Sequence, residues 1–178
     1  MHSAVTNRMP QVVTHRYDPA RGPYLNLCSL PNQEAVRLLD QLRRETRPRL
    51  KPDYLLQRRA AEQWLLQAAT KTLRHAPESI PVYFFLGDFS YGVDHSRPAS
   101  VVLPLAQLHP QAVTFTLGDS MRVAAEPNRC VYNLEQMEEL FAAQAPVADF
   151  GLTDREQMQP RFIEMQLWDR SLLPNLAV

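Results

Sequence analysis

The feature that most constrains the fold is a change of hydrophobic periodicity at Pro81. Between Pro31 and Pro77, apolar residues recur with the 3.6-residue period of amphipathic helices, in two segments separated by Pro48 and Pro52. After Pro81 they form short runs typical of strands. Helices that precede strands, without regular βαβ alternation, predict an α+β domain. We expect a mainly antiparallel or mixed sheet with the N-terminal helices packed on one face.

Six segments have the β-branched and aromatic composition of strands. They are residues 11–17, 82–86, 100–103, 112–117, 128–132 and 161–168. In the last segment Ile163, Met165 and Leu167 alternate with the polar residues Glu164 and Gln166. We therefore expect one face of this strand to enter the core and the other to carry a solvated carboxylate.

Composition and length bound the class of protein. The chain has 178 residues and a formal net charge of zero, which predicts one domain and makes nucleic acid an unlikely partner. We assign residues 1–10 to a flexible terminus and residues 11–178 to a single α+β domain. No run approaches 18 apolar residues, and neither cysteine has metal or redox spacing. A soluble cytoplasmic protein with free thiols and no membrane segment is expected.

The sequence offers no local metal or cofactor motif. No two of the five histidines lie within ten residues of each other, so no metal site is predicted. The five glycines are scattered singly, which excludes a phosphate-binding loop and a dinucleotide fingerprint. Basic residues concentrate in residues 43–51, which indicates either a solvated helix end or a phosphate-binding patch.

A Gly-Asp-Ser sequence that ends at Ser120 is similar to the nucleophile motif of a lipase and esterase family. That family places its catalytic histidine after the serine, whereas the last histidine of this chain is His109. We therefore interpret the motif as a polar turn after a strand. A hydrolase built on Ser120 or Cys28 would need a base that folding brings close, from His15, His95 or His109.

Residues 82–88, 115–121 and 162–168 together resemble an uncharacterised bacterial family, over about residues 13–175. The order of elements is also similar to the ADP-ribosyltransferase fold. That family carries a histidine on an early strand, an aromatic residue on a middle strand and a glutamate on a late strand.

By position, these three residues match His15, Tyr83 and Glu164. The resemblance implies that His15 and Tyr83 hold the nicotinamide riboside of NAD⁺. Glu164 would then be catalytic, because a carboxylate can stabilise an oxocarbenium-like transition state. The chain departs from the family where Pro81-Val82, rather than glycine, precedes Tyr83.

The competing interpretation is a non-catalytic domain that binds a protein or another ligand. It rests on the lack of a clustered acid–base pair, of metal-ligand spacing and of a cofactor loop. Tyr24, Tyr91 or Trp168 would then anchor a partner on the surface.

Overall fold

The computed structural model describes residues 8–45, 50–91, 94–143, 153–154, 159–160 and 162–174. Within these ranges the helices are α1 (Asn32–Glu45), α2 (Tyr54–Leu73), α3 (Ser120–Ala124) and α4 (Leu134–Ala142). The strands are β1 (Val12–Tyr17), β2 (Val82–Leu86), β3 (Ala99–Pro104), β4 (Val113–Thr116), β5 (Thr153–Asp154), β6 (Gln159–Pro160) and β7 (Glu164–Leu167).

Five of these strands form one antiparallel sheet in the order β3-β1-β2-β7-β4, and β5 pairs with β6 as a separate two-stranded sheet. This architecture confirms the predicted α+β class. The last strand along the chain, β7, lies between β2 and β4, so it is an interior strand of the sheet. Phe85 of β2 and Thr116 of β4 are the direct neighbours of Glu164 in β7.

The two long helices form where the periodicity predicts them. In α1, Ala35 and Leu39 are buried at i and i+4 and pack with Leu55 of α2. In α2, Leu65 and Ala69 are fully buried at the same spacing. Helix α1 therefore packs on α2, and α2 packs on the sheet.

Strand alternation gives the sheet two different faces. Phe84, Met165 and Leu167 lie on one face, in the main core with Met137 of α4. We call this the α4 face. The opposite face, which we call the α2 face, carries Tyr83, Glu164, Gln166 and Trp168; Leu65 and Ala69 of α2 pack against Trp168.

Two strand predictions need correction. Glu164 is only 7% exposed and Gln166 is 0% exposed, because α2 and α3 cover the face of β7 that was expected to be solvated. Residues 128–132 do not form a strand, since only Tyr132 makes an isolated bridge, to Phe115. Directly after it, Asn133 and Gln136 close a capping box that begins α4, which leaves no length for a ladder. No helix in the described ranges is long and apolar enough to cross a membrane.

Candidate functional site

Two Leu-Gly-Asp turns lie on either side of the start of β7, at one end of the strands. Strands β2 and β4 both run antiparallel to β7, so their C-terminal ends lie on either side of Glu164. In the turn that follows each strand, a glycine has positive φ, +112° at Gly87 and +116° at Gly118. Asp119 then accepts hydrogen bonds from the N–H groups of Met121 and Arg122 and caps α3. The second turn thereby directs the start of α3 toward β7.

Glu164 is held by two N–H donors that reach the same carboxyl oxygen. The backbone N–H of Ser120 donates to Oε1 at 3.2 Å, and Nε2 of Gln166 donates to Oε1 at 3.2 Å. Ser120 is 1% exposed, so this contact lies inside the protein. Glu164 forms no ion pair with any residue that the structure describes.

Burial raises the pKa of Glu164 to about 7, and the nearby Asp119 carboxylate contributes in the same direction. The cation of Arg58 and the hydrogen bonds from Ser120 and Gln166 offset part of this rise. At neutral pH the protonated and ionised forms of Glu164 are therefore both populated. A carboxyl group in this state can both donate and accept a proton, as general acid–base catalysis requires.

Next to Glu164, α2 contributes an ion pair that is almost completely buried. Arg58 and Glu62 are one helical turn apart, with Nε of Arg58 3.2 Å from Oε1 of Glu62. The same oxygen accepts hydrogen bonds from the hydroxyl of Tyr83 at 3.1 Å and from Nδ2 of Asn26 at 2.9 Å. The Arg58 guanidinium also lies 4.1 Å from the centre of the Tyr83 ring. Glu62 thus has an ion-pair partner in Arg58, whereas Glu164 has none among the described residues.

The electrostatics of this cluster keep Arg58 charged and Tyr83 neutral. Burial alone lowers the pKa of Arg58, but nearby acidic groups, among them Glu164 and Glu62, raise that pKa above its usual value. Burial raises the pKa of Tyr83, so its phenol remains a hydrogen-bond donor. We call Arg58, Glu62, Tyr83, Glu164 and Gln166 the α2-face cluster.

His15 lies on the other side of the sheet. Its ring contacts Tyr17, Tyr24 and Phe84, and Phe84 belongs to the core of the α4 face. Nε2 accepts a hydrogen bond from the N–H of Tyr24 at 2.9 Å, so Nδ1 carries the hydrogen donated to the Tyr83 carbonyl at 2.8 Å. Burial lowers the pKa of His15, which favours this neutral form.

The structure therefore brings two of the three predicted site residues together and separates the third. Tyr83 and Glu164 share the α2 face and interact electrostatically. The His15 side chain is on the α4 face, because the register pairs Thr14 with Phe85 and so places His15 opposite Phe84. A nicotinamide group cannot contact the side chains of His15 and Tyr83 in one pocket of this sheet.

Other residues considered from the sequence have clear positions. Cys28 and Cys130 are free thiols, and burial raises the pKa of Cys28 to about 11, which makes it a poor nucleophile. Trp168 is 3% exposed and cannot serve as a surface anchor, whereas Tyr91 is 83% exposed. Among the residues that the structure describes, no three His, Cys, Asp or Glu side chains group as metal ligands would.

A groove of about 290 Å³ lies between α1 and α2, apart from the α2-face cluster. Its lining is mainly apolar and includes Val36, Leu39, Leu55 and Leu56, with Arg43 and Arg59 among its polar members. His15, Tyr83 and Glu164 do not line it.

Arg58 and Glu62 are not among the site residues predicted from the sequence. Both continue the stripe of α2 that carries Leu65 and Ala69, with offsets of seven and eleven residues from Arg58. Charged residues in line with a buried apolar stripe were the signal that could have identified them. Comparison with known proteins adds no assignment, since no family model, no curated protein and no solved structure matches the chain.

Proposed function

We propose that the protein is an enzyme in which Glu164 is the general acid–base residue. The observation that supports the proposal is a buried carboxyl group, without an ion-pair partner among the described residues, whose pKa is about 7. Strongly perturbed carboxyl groups of this kind concentrate in active sites. A hydrophobic side chain would fill the same space without the desolvation penalty, so a functional reason for Glu164 is favoured.

The neighbours of Glu164 have roles that fit acid–base chemistry. Arg58 supplies a fixed positive charge, and it stabilises the carboxylate that forms when Glu164 releases its proton. Asp119 has the opposite effect and favours the protonated form. A substrate that reaches Glu164 would meet a carboxyl group that can exchange a proton at neutral pH.

NAD⁺ is the first substrate to test, because the ADP-ribosyltransferase resemblance assigns Glu164 a catalytic role. The position of His15 removes one of the three contacts on which that resemblance depends. NAD⁺ therefore enters the proposal as a probe, and the acid–base role of Glu164 does not depend on it.

The test is a turnover assay with the parent chain, Glu164→Gln and a control, Glu139→Gln, which changes an exposed glutamate on α4. NAD⁺ is assayed first, followed by nitrophenyl esters, phosphates and glycosides. We expect Glu164→Gln to lower any turnover by at least about 100-fold, the usual contribution of a general acid or base, and the control to retain it. Equal turnover by the parent and Glu164→Gln would exclude the catalytic role.

The interaction-domain interpretation has less support from the geometry. Of its three predicted anchors, Trp168 is buried, Tyr24 is half-buried and Tyr91 alone is strongly exposed. One exposed ring is ordinary for a protein surface and does not identify an interface.

A further inference from the structure

We infer that Gln166 is the positioning residue of this site. Its side-chain amide binds Oε1 of Glu164 and leaves Oε2 as the oxygen that carries and releases the proton. The inference rests on the proposed function, because it describes how the acid–base group is oriented. It is carried by a chain of buried hydrogen bonds on the α2 face.

At one end of this series of hydrogen bonds, Trp168 and Thr114 fix the amide oxygen of Gln166. The indole N–H of Trp168 can only donate, and it donates to Oγ1 of Thr114 at 2.8 Å. The Thr114 hydroxyl therefore has its own proton available, and it donates this proton to Oε1 of Gln166 at 2.9 Å.

The other end independently fixes the amide nitrogen. Oγ1 of Thr116 donates its single proton to the carbonyl of Gly118 at 2.9 Å. Toward Gln166 the same oxygen can only accept, so the group 3.0 Å from it must be the NH₂ of Gln166. Both ends thus require the same orientation of the amide, which directs Nε2 toward Glu164.

The proton position on Glu164 follows from this orientation. Oε1 receives two N–H donors, from Ser120 and from Gln166, and a proton on that oxygen would point at hydrogen atoms already there. The neutral acid therefore carries its proton on Oε2. Thr114, Thr116 and Gln166 are each 0% exposed, so water does not compete for these bonds.

The arrangement gives Gln166 a part in the chemistry as well as in packing. When Glu164 ionises, its charge is stabilised at Oε1 by two N–H groups that are already in place. When Glu164 is neutral, the same two groups hold the carboxyl plane and leave Oε2 to carry the exchangeable proton. A glutamate at position 166 could not do this, because a carboxylate accepts hydrogen bonds and does not donate them.

The inference is tested by titrating the Glu164 carboxyl group by carbon-13 NMR. The protein is labelled with carbon-13 at the side-chain carboxyl carbons of its glutamates. The Glu164 signal is assigned as the one that Glu164→Gln lacks. Gln166→Met keeps the approximate volume of the side chain but removes the N–H donor to Oε1. We expect the pKa of Glu164 to rise by about one unit, the usual effect of losing a hydrogen bond to a charged group.

A second variant and a control make the result decisive. Thr114→Val removes the hydroxyl that orients the amide oxygen, and we expect a smaller rise in the pKa of Glu164. Thr14→Val removes a buried hydroxyl of β1 that bonds to Gly87 and Phe89, and it should leave that pKa unchanged. An unchanged pKa in folded Gln166→Met, or in Thr114→Val if Gln166→Met does not fold, overturns the inference. A parent pKa near 4.5 would instead overturn the proposed function itself.

Discussion

Two buried titratable side chains occupy opposite faces of the same sheet, and their hydrogen bonds give them different roles. His15 has one partner for each ring nitrogen, the N–H of Tyr24 and the carbonyl of Tyr83, and burial favours its neutral form. Glu164 has two donors on one oxygen and a pKa close to neutrality. The arrangement around His15 satisfies a structural residue, whereas that around Glu164 leaves a proton free to exchange.

The first prediction is that Glu164→Gln stabilises the fold at about pH 8. An ordinary glutamate has a pKa of 4.5, and that of folded Glu164 is about 7. The unfolded chain therefore releases this proton more readily, so stability is lost as the pH rises from 4.5 to about 7. Glutamine removes this penalty, which amounts to roughly 3 kcal/mol for a difference of this size. Urea unfolding at pH 8 and at pH 4.5 measures the gain.

The gain should be present at pH 8 and small at pH 4.5, and the exposed control Glu139→Gln should show no such dependence. A variant that is less stable than the parent at both pH values would mean that Glu164 is a structural hydrogen-bonding residue. The stability measurement would then give no support for a catalytic role of Glu164.

The second prediction concerns His15→Leu, which leaves the N–H of Tyr24 and the carbonyl of Tyr83 without their ring partners. We expect a loss of about 2–4 kcal/mol at pH 8, from two broken hydrogen bonds inside the protein. Because burial lowers the pKa of His15 below 6.5, its contribution is present above pH 6.5 and is lost as the pH falls below that value. The deficit should therefore narrow at pH 5, and a deficit that widens would contradict the neutral form described here.

At the scale of elements, the turn between β4 and α3 decides where the N–H of Ser120 points. Gly118 has φ of +116°, far beyond the left-handed helical well near +57° that other residues can enter. Nothing lies within 4 Å of a Cβ built at this position, so strain in the backbone alone opposes a side chain.

The third prediction is that Gly118→Ala destabilises the fold by about 1–3 kcal/mol through this strain. Gly22→Ala is the matched control, since its site is equally open but its φ of +76° lies closer to the left-handed well. Thermal unfolding of the two variants should show the larger loss for Gly118→Ala. An equal or smaller loss would show that the turn adapts and does not fix the direction of the Ser120 N–H.

Element positions were predictable where one periodicity dominates. The stripes of α1 and α2 and the apolar run of β2 are found where the sequence indicates them. The candidate site was less accessible, because strand alternation shows that Glu164 and Gln166 share a face but not that α2 covers it. The separation of His15 from Tyr83 depends on the register of β1 against β2. This register cannot be derived from the sequence, because the two strands are far apart along the chain.

At the scale of the whole molecule, both faces of the sheet are covered at β7, whose four residues are all buried, and this makes the polar layer possible. Residues of α4 pack on one face, and α2 and α3 cover the other, so Glu164 and Gln166 are removed from solvent. Buried polar groups of this kind contribute little to stability unless every partner is satisfied. The ion pair of Arg58 with Glu62 and the buried hydrogen bonds of Gln166 provide these partners. The proton of Glu164 remains available for acid–base chemistry.

The central claim is tested most directly by one measurement, the titration of the Glu164 carboxyl group in the parent chain by carbon-13 NMR between about pH 4 and pH 9. Glu164→Gln identifies the signal. We expect a midpoint near pH 7, well above the ordinary glutamate pKa of 4.5. A midpoint at or below 4.5 would mean that Glu164 is fully ionised at neutral pH, and the acid–base function proposed for this site would be contradicted.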